Sequence, residues 1–279
     1  MLILRTVAET QSACAQSRGE GRIVGLVPTM GALHEGHLSL VRAARAECDV
    51  VVVSIFVNPT QFGPNEDFSK YPRTFDEDCA LLEREGVDLV FAPGVDEMYP
   101  AGASTFVLVE GVSERLDGAS RPGHFRGVTT VVSKLFHIAM PHKAFFGQKD
   151  AAQVAVLRKM VRDLNCPVQL VVCPIVRELD GLALSSRNRY LSEKERHQAL
   201  VLHRVLRKVE EAAASGEKSS AKLIEVARSV FAQEPDVRVD YIAVVHPDTL
   251  EDIPDVSSRS LVAVAAFVGT TRLIDNVLL

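Results

Sequence analysis

Short apolar runs alternate with amphipathic stretches between residues 22 and 176, and this alternation limits how the chain can fold. The runs are rich in Val and Ile, as in DVVVVSIFVNP at 49–59, which is typical of strands buried on both faces. The stretches between them have helical spacing, with Leu40, Ala44 and Cys48 four residues apart. Strands that alternate with helices build βαβ units with right-handed crossovers. We therefore predict an α/β fold with a Rossmann-like, doubly wound parallel sheet.

The pattern changes after about residue 177. A long charged amphipathic stretch begins at Ser192, and Glu195 lies three residues on, which is the spacing of a capping box at a helix start. A second helical stretch at 219–233 and two apolar strand-like segments follow. We predict two domains, a Rossmann-like domain at 1–176 and a smaller α+β domain at 177–279 with its helices on an antiparallel sheet.

Charge and composition exclude several classes of protein. The net charge is −5 and 47% of the residues are apolar, which fits a globular protein and disfavours a dedicated nucleic-acid binder. The five cysteines are scattered without C-x-x-C spacing, which argues for reduced thiols in the cytoplasm and against a zinc site. No run reaches the ~20 apolar residues of a membrane helix, and the N-terminal residues lack the pattern of a secretory signal. We expect a cytoplasmic protein.

The segment PTMGALHEGH at 28–37 places two histidines, His34 and His37, after a predicted strand and at the start of a predicted helix. A helix start offers free backbone N–H groups to an anion, and Gly31 and Gly36 let a phosphate approach the backbone. One interpretation is therefore a nucleotide phosphate site. The alternative is a pair of surface histidines that cap the helix or lie in solvent, and a zinc site is poorly supported because further ligands are missing.

Polar residues also follow two other predicted strands and lie at the predicted domain boundary. Each has an ordinary explanation as a turn, a helix cap or a linker. The carboxyl ends of parallel strands meet at one sheet edge, however, so we expect these side chains to converge on one site. The residues are Asn58, Gln61, Gly147, Lys149, Asp150, Gln153, Ser185, Ser186 and Arg187.

Several of these segments together resemble one enzyme family. PTMGALHEGHLSLV resembles the HxGH signature of nucleotidyltransferases and class I aminoacyl-tRNA synthetases. In order and spacing, NPTQF, RPGHFRGVTTVV, FGQKDAAQ and LALSSRNRYL are similar to the pantothenate synthetase family, the pantoate–β-alanine ligases. The similarity covers nearly the whole chain and is densest from Pro28 to Leu191. HxGH by itself identifies the superfamily, whereas its combination with NPTQF and SSRN identifies the ligases.

The resemblance implies an AMP-forming ligase of the coenzyme A pathway that joins pantoate to β-alanine with ATP and Mg²⁺, through a pantoyl adenylate. It implies that His34 and His37 contact the phosphates, with His37 stabilising charge on the α-phosphate and the leaving pyrophosphate. Lys149 and Arg187 complete the catalytic set as cations, and residues 184–187 correspond in role to the KMSKS loop of the synthetases. The nucleotide-binding residues that the resemblance implies are Met30, Gly31, Ala32, Leu33, His34, Glu35, Gly36, His37, Gly147, Gln148, Lys149, Asp150, Val176, Leu184, Ser185, Ser186 and Arg187.

The resemblance also assigns Gln61 and Gln153 to pantoate, with Asn58 in support, and it suggests a homodimer without nucleic-acid or membrane partners. Ala151 and Ala152 replace larger residues of the family, so the wall beside Gln153 is expected to be looser. Leu184 stands where the family usually has Met. Arg121, His124 and Arg126 belong to a flap-like segment that either closes over the site or lies in solvent. We expect Mg²⁺ on the ATP phosphates without a dedicated protein ligand, and another HxGH nucleotidyltransferase is the alternative function.

Overall fold

The computed structural model describes residues 1–64, 66–257 and 259–279. Within them, a parallel sheet has the order β1-β4-β3-β2-β5-β6. The chain runs from β2 outward through β3 to β4 and then returns to β5 on the other side of β2, which creates a topological switch point between β2 and β5. The predicted doubly wound sheet is confirmed. Its strands are β1 (Leu2–Leu4), β2 (Val24–Thr29), β3 (Val50–Ile55), β4 (Leu89–Phe91), β5 (Lys143–Gly147) and β6 (Gln169–Cys173).

Helices cover both faces of this sheet. Alternate residues of β3 point to opposite faces, so Val50 and Val52 pack with α1, α6 and α7, whereas Val51 and Val53 pack with α2 and α3. Strands covered on both faces explain the continuous valine run. The helices of this part are α1 (Val7–Gly19), α2 (Glu35–Glu47), α3 (Phe75–Arg84), α4 (Val95–Met98), α5 (Asp117–Ser120), α6 (His124–Ala139) and α7 (Ala151–Asp163).

The C-terminal part is an antiparallel sheet in the order β7-β8-β9 with two helices, as predicted. One face, with Val262 and Val264, packs against the helices, and the other, with Leu261 and Ala263, joins the core that contains α7. The domain division at residue 176 stays a prediction. The elements are α8 (Glu193–Ala214), α9 (Ser220–Phe231), β7 (Val237–Val245), β8 (Leu261–Val268) and β9 (Thr271–Leu278). Among the described residues, no helix has the length and apolarity needed to cross a membrane.

Candidate active site

The predicted polar residues meet in a cavity of about 240 Å³ at the carboxyl ends of β2, β3 and β5. This is the switch point of the sheet, where ligands bind in open α/β folds. The cavity adjoins a wider cleft of about 670 Å³ that extends to β9. Among the predicted residues, those lining the cavity are Met30, His34, Gly36, His37, Asn58, Gln61, Gly147, Lys149, Asp150, Gln153, Val176, Leu184, Ser185, Ser186 and Arg187.

The two histidines cap α2 and also face the cavity. His34 is the N-cap residue, and its Nδ1 accepts a hydrogen bond from the Gly36 N–H at 3.1 Å. The Nδ1 of His37 accepts one from the His34 N–H at 3.3 Å, and the two ring centroids are 4.1 Å apart. A backbone N–H donates only to an unprotonated ring nitrogen, so each neutral imidazole carries its proton on Nε2. The Nδ1 atoms thus cap the helix, as the alternative interpretation of the two histidines expects. The Nε2–H groups do not take part in this capping and remain as hydrogen-bond donors.

Burial keeps both imidazoles neutral near pH 7. Burial first, and then the positive charges of Lys149 and Arg189, lower the pKa of His34 to about 4. Burial, together with His34 and Lys149, lowers the pKa of His37 to about 3. The site therefore presents two neutral N–H donors beside a lysine ammonium group, a combination suited to a polyanion such as triphosphate.

Asp78 fixes the loop between β2 and α2, a role that its place among the acidic residues at the start of α3 does not reveal. Its carboxylate is 2% exposed and accepts hydrogen bonds from the Ala32 N–H at 2.9 Å and the Leu33 N–H at 2.8 Å. Gly31 and Ala32 have φ of 80° and 51°, and this left-handed turn aims both N–H groups at Asp78. These two amides are therefore already paired with Asp78 inside the protein.

The block at 184–187 lies against this loop. Ser186 is 7% exposed, and its hydroxyl donates to the Ala32 carbonyl at 3.0 Å. The Arg187 Nε and Nη2 groups both donate to Asp67, each at 3.1 Å. The two parallel donors that we expected to meet phosphate are thus held by Asp67, so phosphate binding through them requires this ion pair to separate. The Arg187 Nη1 group is not part of that pair.

The segment Gln148–Asp150 is a single 3-10 turn between β5 and α7. The Lys149 ammonium lines both the cavity and the cleft, and it lies 4.0 Å from the Asp150 carboxylate. The Gln148 side chain turns away from the cavity and donates to Asn276 in β9 at 3.0 Å. The predicted contact of Gln148 with the nucleotide would therefore involve its backbone atoms and not its side chain.

Four other predicted nucleotide residues do not line the cavity. Ala32 and Leu33 are buried, with side chains in the core. The Glu35 carboxylate pairs with Arg42 on the exposed side of α2. Gly31 lies in the left-handed turn before α2, where a Cβ atom would lie 3.0 Å from the Asp78 carboxylate. The structure thus gives these residues a role in shaping the loop.

The Gln61 side of the cavity is held by Asn58 and α6. Asn58 is 1% exposed; its amide donates to Gln61 Oε1 at 3.1 Å and to the Gly127 carbonyl at 3.2 Å. Gln61 Nε2 contacts the Met30 sulfur at 3.2 Å. A Cβ at Gly127 would lie 2.3 Å from the Thr60 carbonyl oxygen, so only glycine permits this close approach. Asn58 and Gly127 therefore hold the Gln61 segment in position, and the sequence did not reveal this contact of Gly127.

Ser54, at the end of β3, also lines the cavity. It is 1% exposed, and its hydroxyl has no hydrogen-bond partner among the residues that the structure describes. Buried hydroxyls are usually paired, so this group is a candidate ligand contact. The apolar residues Phe56 and Val131 belong to the same cavity wall.

Two flap residues lie in the cavity wall and the third does not. The Arg121 Nε donates to Glu66 at 2.8 Å, and His124 Nδ1 donates to the Gln61 carbonyl at 2.8 Å. Burial and the charge of Arg121 lower the pKa of His124 to about 4. Arg126 stacks on Phe106 with 3.6 Å between its guanidinium carbon and the ring centroid, away from the cavity.

The whole chain is similar to known proteins of one family. The family model described as pantoate-beta-alanine ligase matches residues 2–278. A pantothenate synthetase of Acidobacterium capsulatum is 66% identical, over 98% of this chain and 95% of its own. A pantothenate synthetase of Koribacter versatilis is 62% identical, over 100% of this chain and 96% of its own.

Solved structures are similar over the whole chain as well. The crystal structure of pantothenate synthetase from Thermus thermophilus superposes with a TM-score of 0.95 at 49% identity, covering 100% of this chain and 99% of that one. A Francisella tularensis pantoate-beta-alanine ligase, complexed with beta-gamma ATP and beta-alanine, gives a TM-score of 0.82 at 34% identity, covering 100% and 97%. The chain therefore belongs to the pantoate–β-alanine ligase family.

Proposed function

We propose that this ligase activates pantoate with ATP in the cavity at the β2–β5 switch point and then transfers the pantoyl group to β-alanine. The products are pantothenate, AMP and pyrophosphate. The observation that carries the proposal is the convergence of two imidazole donors, the Lys149 ammonium and two glutamine amides on one cavity. The extent of the family match, residues 2–278, favours the ligase over another HxGH nucleotidyltransferase.

The phosphate side consists of His34, His37, Lys149 and Arg187. Neutral Nε2–H groups bind phosphate oxygens without repelling Lys149, and His37 stabilises charge on the α-phosphate and the leaving pyrophosphate. Lys149 supplies a point charge suited to the same oxygens. Arg187 joins them when ATP competes with Asp67 for its guanidinium. The nucleotide itself lies along 30–37, Gly147–Asp150, Val176 and Leu184–Arg187.

The pantoate side consists of Gln61 and Gln153, whose amides offer both donors and acceptors to a carboxylate and hydroxyls. Ser54 offers a further hydroxyl to the same substrate. The two methyl groups of pantoate fit against the apolar wall that includes Phe56 and Val131. Asn58 keeps Gln61 in place, as its four hydrogen-bonding neighbours suggest.

Magnesium would be held by the ATP phosphates and water, and it would supply neutralising charge to those phosphates. The described residues contain no group of three His, Cys, Asp or Glu side chains arranged for a metal ion. The half-exposed Asp150 carboxylate beside Lys149 is the kind of oxygen that a hydrated Mg²⁺ accepts as a further contact. This donor set fits a metal that arrives with its nucleotide.

We further propose a homodimer in the cytoplasm, with residues 177–279 as the domain that closes over the site. Phe106 and Leu108 are 43% and 57% exposed, and the N–H of Val107 between them donates to the Thr130 hydroxyl. Such an apolar strip is suited to contact a second copy of the chain. All five cysteines are free thiols, which fits a reducing compartment.

Pyrophosphate release, measured with each substrate alone and with both, tests the function. We expect about one equivalent per site with ATP and pantoate, none with ATP and β-alanine, and continuous turnover with all three. Pantothenate should accumulate in step with pyrophosphate. Turnover with a phosphorylated acceptor, together with none from pantoate, would instead identify a nucleotidyltransferase.

A further inference from the structure

Two neighbouring polar residues in β9, Asp275 and Asn276, are each 3% exposed. They lie in the register opposite Val264 and Ala263 of β8, which belong to the apolar cores on the two faces of the sheet. Successive residues of a strand point to opposite faces. The two side chains therefore point to opposite faces of the sheet, and each one bonds to a different segment that reaches the active site.

Asn276 uses its whole side chain to hold the Lys149 turn. Its Nδ2 donates to the Gln148 carbonyl at 3.0 Å and to the Lys149 carbonyl at 2.9 Å. Its Oδ1 accepts from the Gln148 side-chain amide at 3.0 Å. Three bonds to two consecutive residues fix the peptide planes on both sides of the Lys149 α-carbon.

Asp275 holds the hairpin that leads to residues 184–187. Its two carboxylate oxygens accept from Arg177 at 2.6 and 2.9 Å, and Arg177 also donates to the Gly181 carbonyl at 3.1 Å. The hairpin closes with the Leu184 N–H donating to the Val176 carbonyl at 3.0 Å. One end of β9 is therefore bonded to both segments that bring cations to the cavity.

We infer that Asn276 is a positioning residue for pantoate activation, which acts through Lys149 by fixing the backbone from which the ammonium group extends. The inference rests on the role proposed for Lys149. Without the three bonds, the turn has two free carbonyls and the ammonium group is no longer held over the cavity. A displacement of about 1 Å in a reacting group is enough to slow a reaction about 100-fold.

A double-mutant cycle on the full-length enzyme tests this, with adenylate formation followed as single-turnover pyrophosphate release. We expect Asn276→Ala to slow this step by about 100-fold, with little change in the KM for pantoate. In a Lys149→Ala background the same substitution should change the rate by less than about threefold, because the group it positions is gone. The reaction of preformed pantoyl adenylate with β-alanine should stay within about threefold of wild type in the Asn276→Ala variant.

Matched variants separate positioning from loss of stability. Val268→Ala opens the core on the face of the same sheet that packs against α8 and α9, so it should lower Tm without slowing adenylate formation. Asn276→Asp keeps the shape and the acceptor but removes both donors, so it should behave as Asn276→Ala does and serves if the alanine variant does not fold. Gln148→Ala removes one of the three bonds and should have a smaller effect.

Two outcomes would overturn the inference, and they are distinguishable. If the effects of Asn276→Ala and Lys149→Ala multiply, or if both half-reactions slow equally, Asn276 acts through general structure and not through Lys149. If Lys149→Ala alone forms adenylate at the normal rate, the role proposed for Lys149 fails and the inference falls with it.

Discussion

The two loops that hold the phosphate side of the site are built in different ways. In the loop at 30–37, the capping bonds of His34 and His37 join residues two and three positions apart. In the turn at Gln148–Asp150, the side-chain bonds come from Asn276, more than 120 positions along the chain. The first loop is thus organised largely by its own sequence, and the second depends on the C-terminal sheet.

Because of this difference, the two loops depend to different degrees on the packing of the rest of the chain. The histidine caps of the first loop form within one compact motif, although Asp78 and Ser186 also tie that loop to distant segments. A loop held from a distant strand is in place only when that strand is, so its cation is coupled to the C-terminal part of the molecule. Assembly of the site therefore requires the C-terminal sheet to pack against the part of the chain that carries the parallel sheet. Most of the residues proposed to contact the substrates nevertheless belong to the part with the parallel sheet.

The largest effect is expected at the centre of the locally organised loop. His37→Ala removes an N–H donor from the developing phosphate charge, so adenylate formation should fall by about 10²–10³-fold. Single-turnover pyrophosphate release measures it. His137→Ala is the matched control, because His137 is exposed on α6 and its one side-chain bond to the described part of the chain is to Ser133 of its own helix. Near-normal activity of His37→Ala would remove this residue from the mechanism.

A smaller effect is expected where the first loop depends on a distant residue. Asp78→Ala leaves the Ala32 and Leu33 N–H groups buried without an acceptor, so unfolding free energy should fall by about 2–4 kcal/mol. Urea denaturation measures this change. Asp76→Ala, at an exposed position of the same helix, should stay within about 0.5 kcal/mol of wild type. An Asp78→Ala variant as stable as Asp76→Ala would mean that the first loop is wholly local.

The same distinction explains what the sequence predicted. The βαβ alternation predicted the parallel sheet, and the placement of polar residues after strands predicted where the cavity would form. The short edge strand β1 and helix α1 were missed, because three apolar residues are a weak strand signal, although Thr6 and Glu9 form a capping box. The Thr6–Glu9 spacing is the signal in the sequence that marks this helix start.

Residues that act across the chain gave no such signal. Asp78 bonds to residues about 45 positions away, and it reads as one of three acidic residues at a helix start. Asn276 lies at the end of an apolar strand pattern, where nothing nearby distinguishes it. The ion pair of Arg187 with Asp67 was also hidden, since it joins residues 120 positions apart. These roles arise from tertiary contacts and not from local pattern.

The substrate side of the cavity extends the comparison, because it too is held by a distant element. Gly127→Ala places a methyl group against the Thr60 carbonyl and the Gln61 N–H, which forces the Gln61 segment to move. We expect the KM for pantoate to rise about tenfold, equivalent to ~1.4 kcal/mol, with the KM for ATP nearly unchanged. Gly19→Ala, where no atom lies within 4 Å of the added carbon, is the control. Equal changes in both KM values would indicate a general disturbance.

The smallest effect tests whether the imidazoles of the first loop are neutral in the folded enzyme. The pKa of His34 is lowered from 6.5 to about 4, mainly by burial, so between these values the unfolded chain binds a proton that the native protein does not. Stability is therefore lost as pH falls through this window.

Between pH 6.5 and 5.5 the wild type should lose about 1 kcal/mol more unfolding free energy than His34→Gln, as measured by urea denaturation at each pH. Comparing the two pH values within each variant removes the constant cost of altering the cap. Equal losses in the two proteins would mean that His34 takes up its proton in the folded state as readily as in the unfolded one, and the first loop would then present a charged imidazole to the phosphates.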